Sequence, residues 1–513
     1  MLTMKANTIF SAGWLFICCS SVCGTVEMTA SSDEEGKSMT DQNDLTEEGK
    51  EANETKGKRN SKQKNASPPS SPTPASQADT PLKQNANKAA IPEFNVEIHE
   101  HKLEGLNDIW FIPSSKELVV IEICFENAGA KNVTATHPSL ASLVPPMVGR
   151  GPCGMSDRDF KVALYECSSV QHLDIGNDHV SCVVAAPQDS YKKALELYMQ
   201  ALTNPKLPKR YLSQLKKDEV MQCTEALSSP GTHAGDAART VLYDAKHPYR
   251  VLTKDVIKDI PTVSVRDTRE FLEFLGQKNA YVVVMGPRSQ EKEIVANVEK
   301  ELRRLPVKGR PTISSKFELN ANRKDLHVDF DVPQTNLIAV QRGFDRKDPD
   351  YFAKKLAFAV VAQGSLNAML FQEIREKRGL AYACYGYNNE LVLGPVIYIH
   401  VGTQNEKVPQ AKAAVLELLN TVSKKGIPQR NFETVKSEVT GALVVNLDSG
   451  AKVVDFVIGK RVQGFSAEEV RTYGRNFGEV TYEAANKASK TLFDVDHLNF
   501  ISVGKSVEGS HAK

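Results

Sequence analysis

The sequence predicts an α+β fold made of two homologous lobes, and three observations carry that prediction. Short apolar or alternating runs of strand type recur between helical patterns along most of the chain. A stretch of the first half returns in the second: Pro208-Lys-Arg210-Tyr-Leu212-Ser-Gln-Leu215-Lys216-Lys-Asp218 matches Pro428-Gln-Arg430-Asn-Phe432-Glu-Thr-Val435-Lys436-Ser-Glu438. Each copy opens a long helix with proline near its first turn and keeps the same apolar spacing. Both halves also close on an apolar strand running into glycine, at Val284-Met285-Gly286 and Ser502-Val503-Gly504. A duplicated lobe explains all three.

Taken in order, residues 94–101 alternate as a strand, 108–112 read as a second, and 118–125 (LVVIEICF) as a buried third. Helical patterns cover 139–147 and 156–165, and strands return at 170–175 and 179–186. A long helical stretch, 190–244, is broken at Pro205, Pro208 and Pro230, because proline lacks the donor that a helix interior requires. A helix over 265–275, a strand over 280–285 and a helix over 291–305 complete the first lobe. After a crossing linker the plan repeats. Strands fall at 326–330 and 336–341, helices at 351–362 and 366–377, and a strand pair at 380–387 and 396–401. Helices then fill 408–424, 428–447, 453–463, 467–477 and 482–491, before a last strand at 498–503.

The rest of the chain is different material. Residues 1–24 have the layout of a secretory signal: Lys5, an apolar run 9–19 (IFSAGWLFICC), then Ser20, Ser21, Cys23 and Gly24. An uncleaved anchor or a lipid-modified Cys23 is the alternative, although Ser20-Ser21-Val22-Cys23 is a poor lipobox. Residues 25–92 are a polar and charged linker with almost no aliphatic side chains, an acidic block ahead of a basic one, and then SPPSSPTPAS. Such a segment cannot bury enough apolar surface to offset its chain entropy, so it is expected to be a disordered tether. The domain plan is therefore signal (1–24), linker (25–92), first lobe (93–306), inter-lobe linker (307–323) and second lobe (324–513).

A hydrophobic content of 41%, a charged content of 25% and a net charge of +1 describe a globular protein with no electrostatic case for a nucleic-acid partner. After the signal no stretch approaches the roughly 18 apolar residues of a membrane span. Of nine cysteines, three lie in the signal. Cys124, Cys153, Cys167, Cys182, Cys223 and Cys384 show no metal-ligand spacing, and their pairing is open.

The most informative stretch is FQEIREKRGLAYACYGY, 371–387. A helix carrying Ile374, Arg375 and Arg378 stops at Gly379, a residue tolerant of positive φ, and an alternating run follows. Arg375 on the last helical turn and Tyr382 at the strand start supply a planar fork of donors and a directional hydroxyl. Together they suit a peptide carbonyl, or negative charge growing on its oxygen. Alone, each residue has a blander explanation: an arginine complementing a helix dipole, a tyrosine on a sheet. As a unit, the stretch resembles the Arg/Tyr segment in the C-terminal half of the pitrilysin/insulinase (M16) family of zinc metallopeptidases. The strand Val396-Ile-Tyr-Ile-His-Val401 with Gly402 and Thr403 resembles the one that follows it there, and the resemblance covers most of the chain after about residue 92. It implies M16-type (LuxS/metallohydrolase-like) α/β lobes forming half of a clamshell.

Catalytic M16 members carry H-x-x-E-H on a helix of the first lobe and a further glutamate downstream. This chain has no H-x-x-E-H. Aligned on the strand 118–125 and its Gly129 loop, the degenerate positions are Ser139, Ser142 and Leu143, with Gln222 at the downstream glutamate, and these cannot form a zinc ligand set. His99 and His101 share a strand face but have nothing nearby in sequence to complete a metal site, and are expected to face solvent. No metal is expected on this chain.

The resemblance therefore implies an exported, periplasmic non-zinc subunit. It would form a heterodimer with an H-x-x-E-H subunit that carries the zinc, and act on unfolded peptides held by Arg375 and Tyr382. The alternatives are an inactive M16-like peptide-binding or scaffold protein, as a homo-oligomer, and an independent Ser or Cys hydrolase. The last has no G-x-S-x-G elbow to support it.

Overall fold

The computed structural model describes residues 96–132, 137–308, 319 and 325–506. The signal, the polar linker and most of the inter-lobe linker lie outside the described residues. The first half runs β1 (His99–His101), β2 (Ile109–Ser114), β3 (Leu118–Glu126), α1 (Leu140–Val148), α2 (Asp157–Glu166), β4 (Val170–Ile175) and β5 (His179–Pro187). It continues through α3 (Tyr191–Thr203), α4 (Lys209–Ala226), α5 (Pro230–Leu242), α6 (Thr253–Asp259), α7 (Val265–Leu272), β6 (Ala280–Pro287) and α8 (Glu291–Leu302). The second half runs β7 (Leu326–Asp329), β8 (Gln334–Arg342), α9 (Tyr351–Ala362), a π-helical turn Phe371–Lys377, β9 (Ala383–Asn389) and β10 (Val396–Gln404). It ends with α10 (Val408–Lys425), α11 (Gln429–Val445), α12 (Gly450–Val462), α13 (Ala467–Arg471), α14 (Tyr473–Glu479), α15 (Tyr482–Ser489) and β11 (Asn499–Gly504).

The class is α+β with two sheets, as expected. One sheet has the order β1-β2-β6-β3-β5-β4 and the other β7-β11-β8-β10-β9. Apart from β1 the two orders are the same. Each starts with one parallel pair, β2 with β6 and β7 with β11, and every later pairing is antiparallel. The duplication read from short sequence matches is thus a duplication of topology.

The prolines act where chemistry requires. Pro208 and Pro428 are the extended N-cap residues of α4 and α11, one position earlier than expected. The matched residues of the two copies do the same work: Leu212 and Phe432 are buried. Lys216 donates to the Pro261 carbonyl at 3.0 Å, and Lys436 to those of Gly478 and Val480 at 2.7 and 2.8 Å. Three local expectations need correction. The helix α6 was not anticipated, being seven residues with none buried and hence without an apolar stripe. The helix expected over 467–477 divides at Thr472, which caps α14. Tyr382 precedes β9 instead of lying in it.

Each sheet is covered on one face by helices of its own half. On its other face lies a helix from the other half. α12 packs on β3 and β6 of the first sheet, and α5 packs on β8 and β11 of the second. The two are equivalents in the repeat, each capped by a serine, Ser229 and Ser449, whose oxygen accepts a backbone N–H of the first turn. Apolar burial on both sheet faces is the main force holding the halves together.

Candidate functional site

The Arg375–Tyr382 turn is built from its core outwards. Ile374 is fully buried and anchors the π-helical turn, while the next residue, Arg375, is exposed, its guanidinium 5.0 Å from the Phe371 ring centroid. Gly379 adopts φ +57°, a conformation that strains other residues. The Gly379 N–H donates to the Arg375 carbonyl at 3.1 Å and the Leu380 N–H to that of Ile374 at 2.9 Å, which closes the helix end. The following turn is fastened by the end of β10 and the residues just after it. The Tyr382 N–H donates to the Gly402 carbonyl at 3.0 Å and the Thr403 hydroxyl to that of Leu380 at 2.5 Å. The Gln404 amide donates to the Tyr382 hydroxyl at 3.1 Å and Lys407 to the Gly379 carbonyl at 3.3 Å.

Tyr382 is 53% exposed, so a strongly held backbone presents an accessible phenol. The tight connection expected from sequence is present, but no hydrogen bond joins Arg375 to Tyr382. The first rests on Phe371 and the second on Gln404.

Beyond Tyr382, β9 alternates. Cys384 and Gly386 face α9, where a Cβ on Gly386 would lie 2.9 Å from that of Ala362. Tyr385 and Tyr387 face the other way and stack with β10: Tyr385 on His400 (5.1 Å, 13°), Tyr387 on His400 (5.5 Å, 18°) and on Tyr398 (4.9 Å, 18°). Burial pushes His400 down to about 4, so the stack is uncharged at neutral pH. β9 is the edge strand of its sheet, and the aromatic face continues from the Tyr382 turn.

At the positions expected to be degenerate zinc sites, the side chains are engaged elsewhere. Ser139 is buried, and its N–H and hydroxyl both donate to Asp259 Oδ2, at 3.0 and 2.6 Å. His137 Nδ1 lies 2.8 Å from Asp259 Oδ1, and His137 Nε2 is 3.8 Å from Asp267. Burial raises the Asp259 pKa, but the bonds from Ser139 and His137 outweigh it and hold the carboxyl below its ordinary value. The Ser142 hydroxyl turns back to the Ser139 carbonyl at 3.1 Å, Leu143 is buried in the first-lobe core, and Gln222 is exposed on α4. These residues do not fit a zinc ion. Among the described residues, no group of three or more His, Cys, Asp or Glu is placed to hold a metal.

His99 and His101 do not simply face solvent. Glu291 Oε1 lies 2.8 Å from His99 Nδ1 and 2.7 Å from His101 Nε2. Neither Asp259 nor Glu291 was anticipated as a partner, since each arrives from more than a hundred residues away. The six described cysteines are free thiols.

Residues 264–439 match the family model described as the Peptidase M16 inactive domain. Among curated relatives, a Bacillus subtilis protein described as the uncharacterized zinc protease YmxG is 33% identical over 89 residues, 17% of this chain and 22% of that one. An uncharacterized zinc protease of Rickettsia bellii is 23% identical over 241 residues, 45% of this chain and 57% of that one. The chain thus spans little more than half the length, at most, of these relatives. Among solved structures, a peptidase M16 inactive domain from Pseudomonas fluorescens superimposes with a TM-score of 0.74 at 21% identity, covering 80% of this chain and 98% of that one. A Helicobacter pylori protease gives 0.72 at 16% identity (80% and 100%), and the periplasmic protease PqqL of Escherichia coli 0.68 at 15% (80% and 46%). At those identities the structures speak for the fold alone. The inactive-domain match over residues 264–439 and the zinc-protease relatives establish a likeness to M16 peptidases, and the solved structures show the fold.

Proposed function

We propose that this chain is the non-zinc subunit of a two-subunit M16 peptidase, presenting Arg375 and Tyr382 to peptides that a zinc-bearing H-x-x-E-H partner cleaves. The observation that carries the reading is the fastened turn. Three contacts from 402–407 fasten the backbone at Gly379, Leu380 and Tyr382 and a fourth meets the exposed phenol itself, the bracing that a carbonyl-binding group requires. The positive guanidinium and the phenol O–H then bind the peptide backbone and favour charge developing on the scissile oxygen. Ser139, Ser142, Leu143 and Gln222 are no zinc ligand set, which in this reading leaves the metal to the partner. The edge strand β9 and the aromatic face beside it suit an unfolded peptide. Export to a periplasm-like compartment, with the signal at 1–24 and the linker at 25–92, belongs to the same reading. A structural neighbour is a periplasmic protease, and among the described residues no helix is long and apolar enough to cross a membrane.

Recovery of the native complex from the protein's own cells tests the proposal. The expected result is a partner of similar size carrying H-x-x-E-H, about one zinc per pair, and peptidase activity absent from this chain alone. In that complex Tyr382→Phe is expected to leave assembly and peptide binding intact and to lower turnover roughly 10² to 10³-fold, the cost of losing one oxyanion donor. Unchanged turnover in both Arg375→Ala and Tyr382→Phe refutes it. A zinc-free homo-oligomer inert towards unstructured peptides makes the chain a binding protein instead.

A further inference from the structure

We propose that Gln404 is a positioning residue for Tyr382, donating an amide N–H to the phenol oxygen so that the phenol's own proton is left for the peptide carbonyl. The inference rests on the functional reading above and adds a residue to it. A phenol is one donor and one acceptor site of consequence. Gln404 Nε2 lies 3.1 Å from the Tyr382 oxygen and fills the acceptor side. Half-exposed as it is, the ring has freedom of rotation at its hydroxyl unless something orients it. Nothing else among the described side chains donates to that oxygen or accepts from it. A donor bonded to the oxygen also polarises the O–H and strengthens the bond it makes next.

The backbone supports the same pairing. Gly402, Thr403, Gln404 and Lys407 each contact the 379–382 turn, so Gln404 sits at the middle of a clamp whose other members set where Tyr382 begins. Gln404 ends β10, and its Cα is in register with Gln334 of β8, not with any residue of β9. The opposite arrangement, with the phenol donating to the Gln404 carbonyl, spends the proton that the carbonyl needs, and the test separates the two.

In the native complex recovered as above, Gln404→Ala is expected to lower kcat about tenfold with KM changed less than twofold, as loss of an interaction realised in the transition state does. Gln404→Glu is the sharper variant. It has nearly the same shape but can only accept, so it draws the phenol proton away and lowers kcat further than alanine does. In a Tyr382→Phe background neither substitution is expected to change kcat, since both act through the missing hydroxyl. Losses that add to that of Tyr382→Phe, or a Gln404→Glu enzyme faster than Gln404→Ala, overturn the inference.

A second measurement needs no partner. In the isolated chain labelled with ¹³Cζ-tyrosine, the Tyr382 signal, identified by its absence in Tyr382→Phe, is expected to move in Gln404→Ala and to move differently in Gln404→Glu, the other tyrosines staying in place. An unmoved signal refutes the contact itself. Unchanged turnover in Tyr382→Phe, with the signal still responding to Gln404, refutes the functional reading and with it the catalytic purpose of the contact.

Discussion

Asp259 shows at the scale of single residues how the segment around Ser139 is held. Its carboxylate takes two bonds from Ser139 and one from His137, tying the start of α1 to the end of α6. A hydrogen bond to a charged group contributes about 1.5–3 kcal/mol, and Asp259 is partly buried. Ser139→Ala is therefore expected to lower unfolding free energy by roughly that amount in urea denaturation, and Asp259→Ala by more, since it also orphans a buried hydroxyl. The Asp259 pKa is depressed in the folded state. Its contribution is complete above the unfolded value of about 3.9 and fades as pH falls below that, so the Ser139→Ala penalty should shrink in acid. An equal penalty at pH 3 and pH 7 contradicts this account. The sequence offered no zinc ligand set here, because serine is a weak ligand and leucine none. It could not show what took over, because Asp259 lies on a short helix without an apolar stripe, 120 residues from Ser139. The turn between Arg375 and Tyr382 was legible for the opposite reason: a helix, a glycine cap and a turn all lie within one local stretch.

At the scale of elements, β1 is the edge strand of the first sheet and only three residues long, yet it is fastened at its side chains. His99 has a carboxylate on each ring nitrogen, Glu291 on Nδ1 at 2.8 Å and Glu97 on Nε2 at 2.8 Å. A neutral imidazole carries one N–H, so both bonds together require the imidazolium. The bond to Glu291, against a smaller opposing effect of burial, holds the His99 pKa above its ordinary value. Arg471 adds a bond to the Ile98 carbonyl at 2.5 Å. The imidazolium contribution is complete below the unfolded histidine pKa of about 6.5 and is lost as pH rises through the higher folded value. Amide exchange, corrected for intrinsic rates, should therefore show protection of residues 99–101 falling between pH 6 and pH 8.5, while His99→Gln shows lower protection with no such fall. The strand itself was readable from the alternation over 94–101, although it covers only His99–His101. Their exposure was misread, because Glu291 opens a helix 190 residues later and no local pattern announces it.

At the scale of the whole molecule, the duplicated topology was legible in outline, from the Pro208 and Pro428 stretches and the two strand-glycine endings. The exchange of α5 and α12 between halves was not. Amphipathic spacing says that a helix has a buried face, never which sheet it is buried against. The exchange has a chemical consequence at the seam. Arg461 on α12 donates to the carbonyls of Val282 and Asp108 at 2.8 and 2.5 Å and lies over Trp110, its centre 4.5 Å from the ring. Six residues earlier, Asp455 meets the acidic face of the first sheet. Glu122 on β3 is 3% exposed, accepts the Ser181 hydroxyl at 2.6 Å, and is paired with no cation among the described residues. Burial first, and then Asp455, pushes Glu122 up to about 8, while burial and Asp174 push Asp455 up to about 6. Raised carboxyl pKa values mean that the folded protein holds protons the unfolded chain has released. The stabilisation is complete below the unfolded values near 4 and is lost as pH rises through 6 and then 8. Unfolding free energy is accordingly expected to fall by a few kcal/mol, on the scale of about 1.4 kcal/mol per pKa unit, between pH 5 and pH 8.5. Glu122→Gln keeps the Ser181 bond and has no charge to bury, so its stability should change less over that range and exceed the parent's at pH 8.5. Exchange in α12 should follow the same course if the seam is where the protons act. Parallel pH profiles for the parent and Glu122→Gln would place the dependence elsewhere, with the His99 clasp the next group to remove.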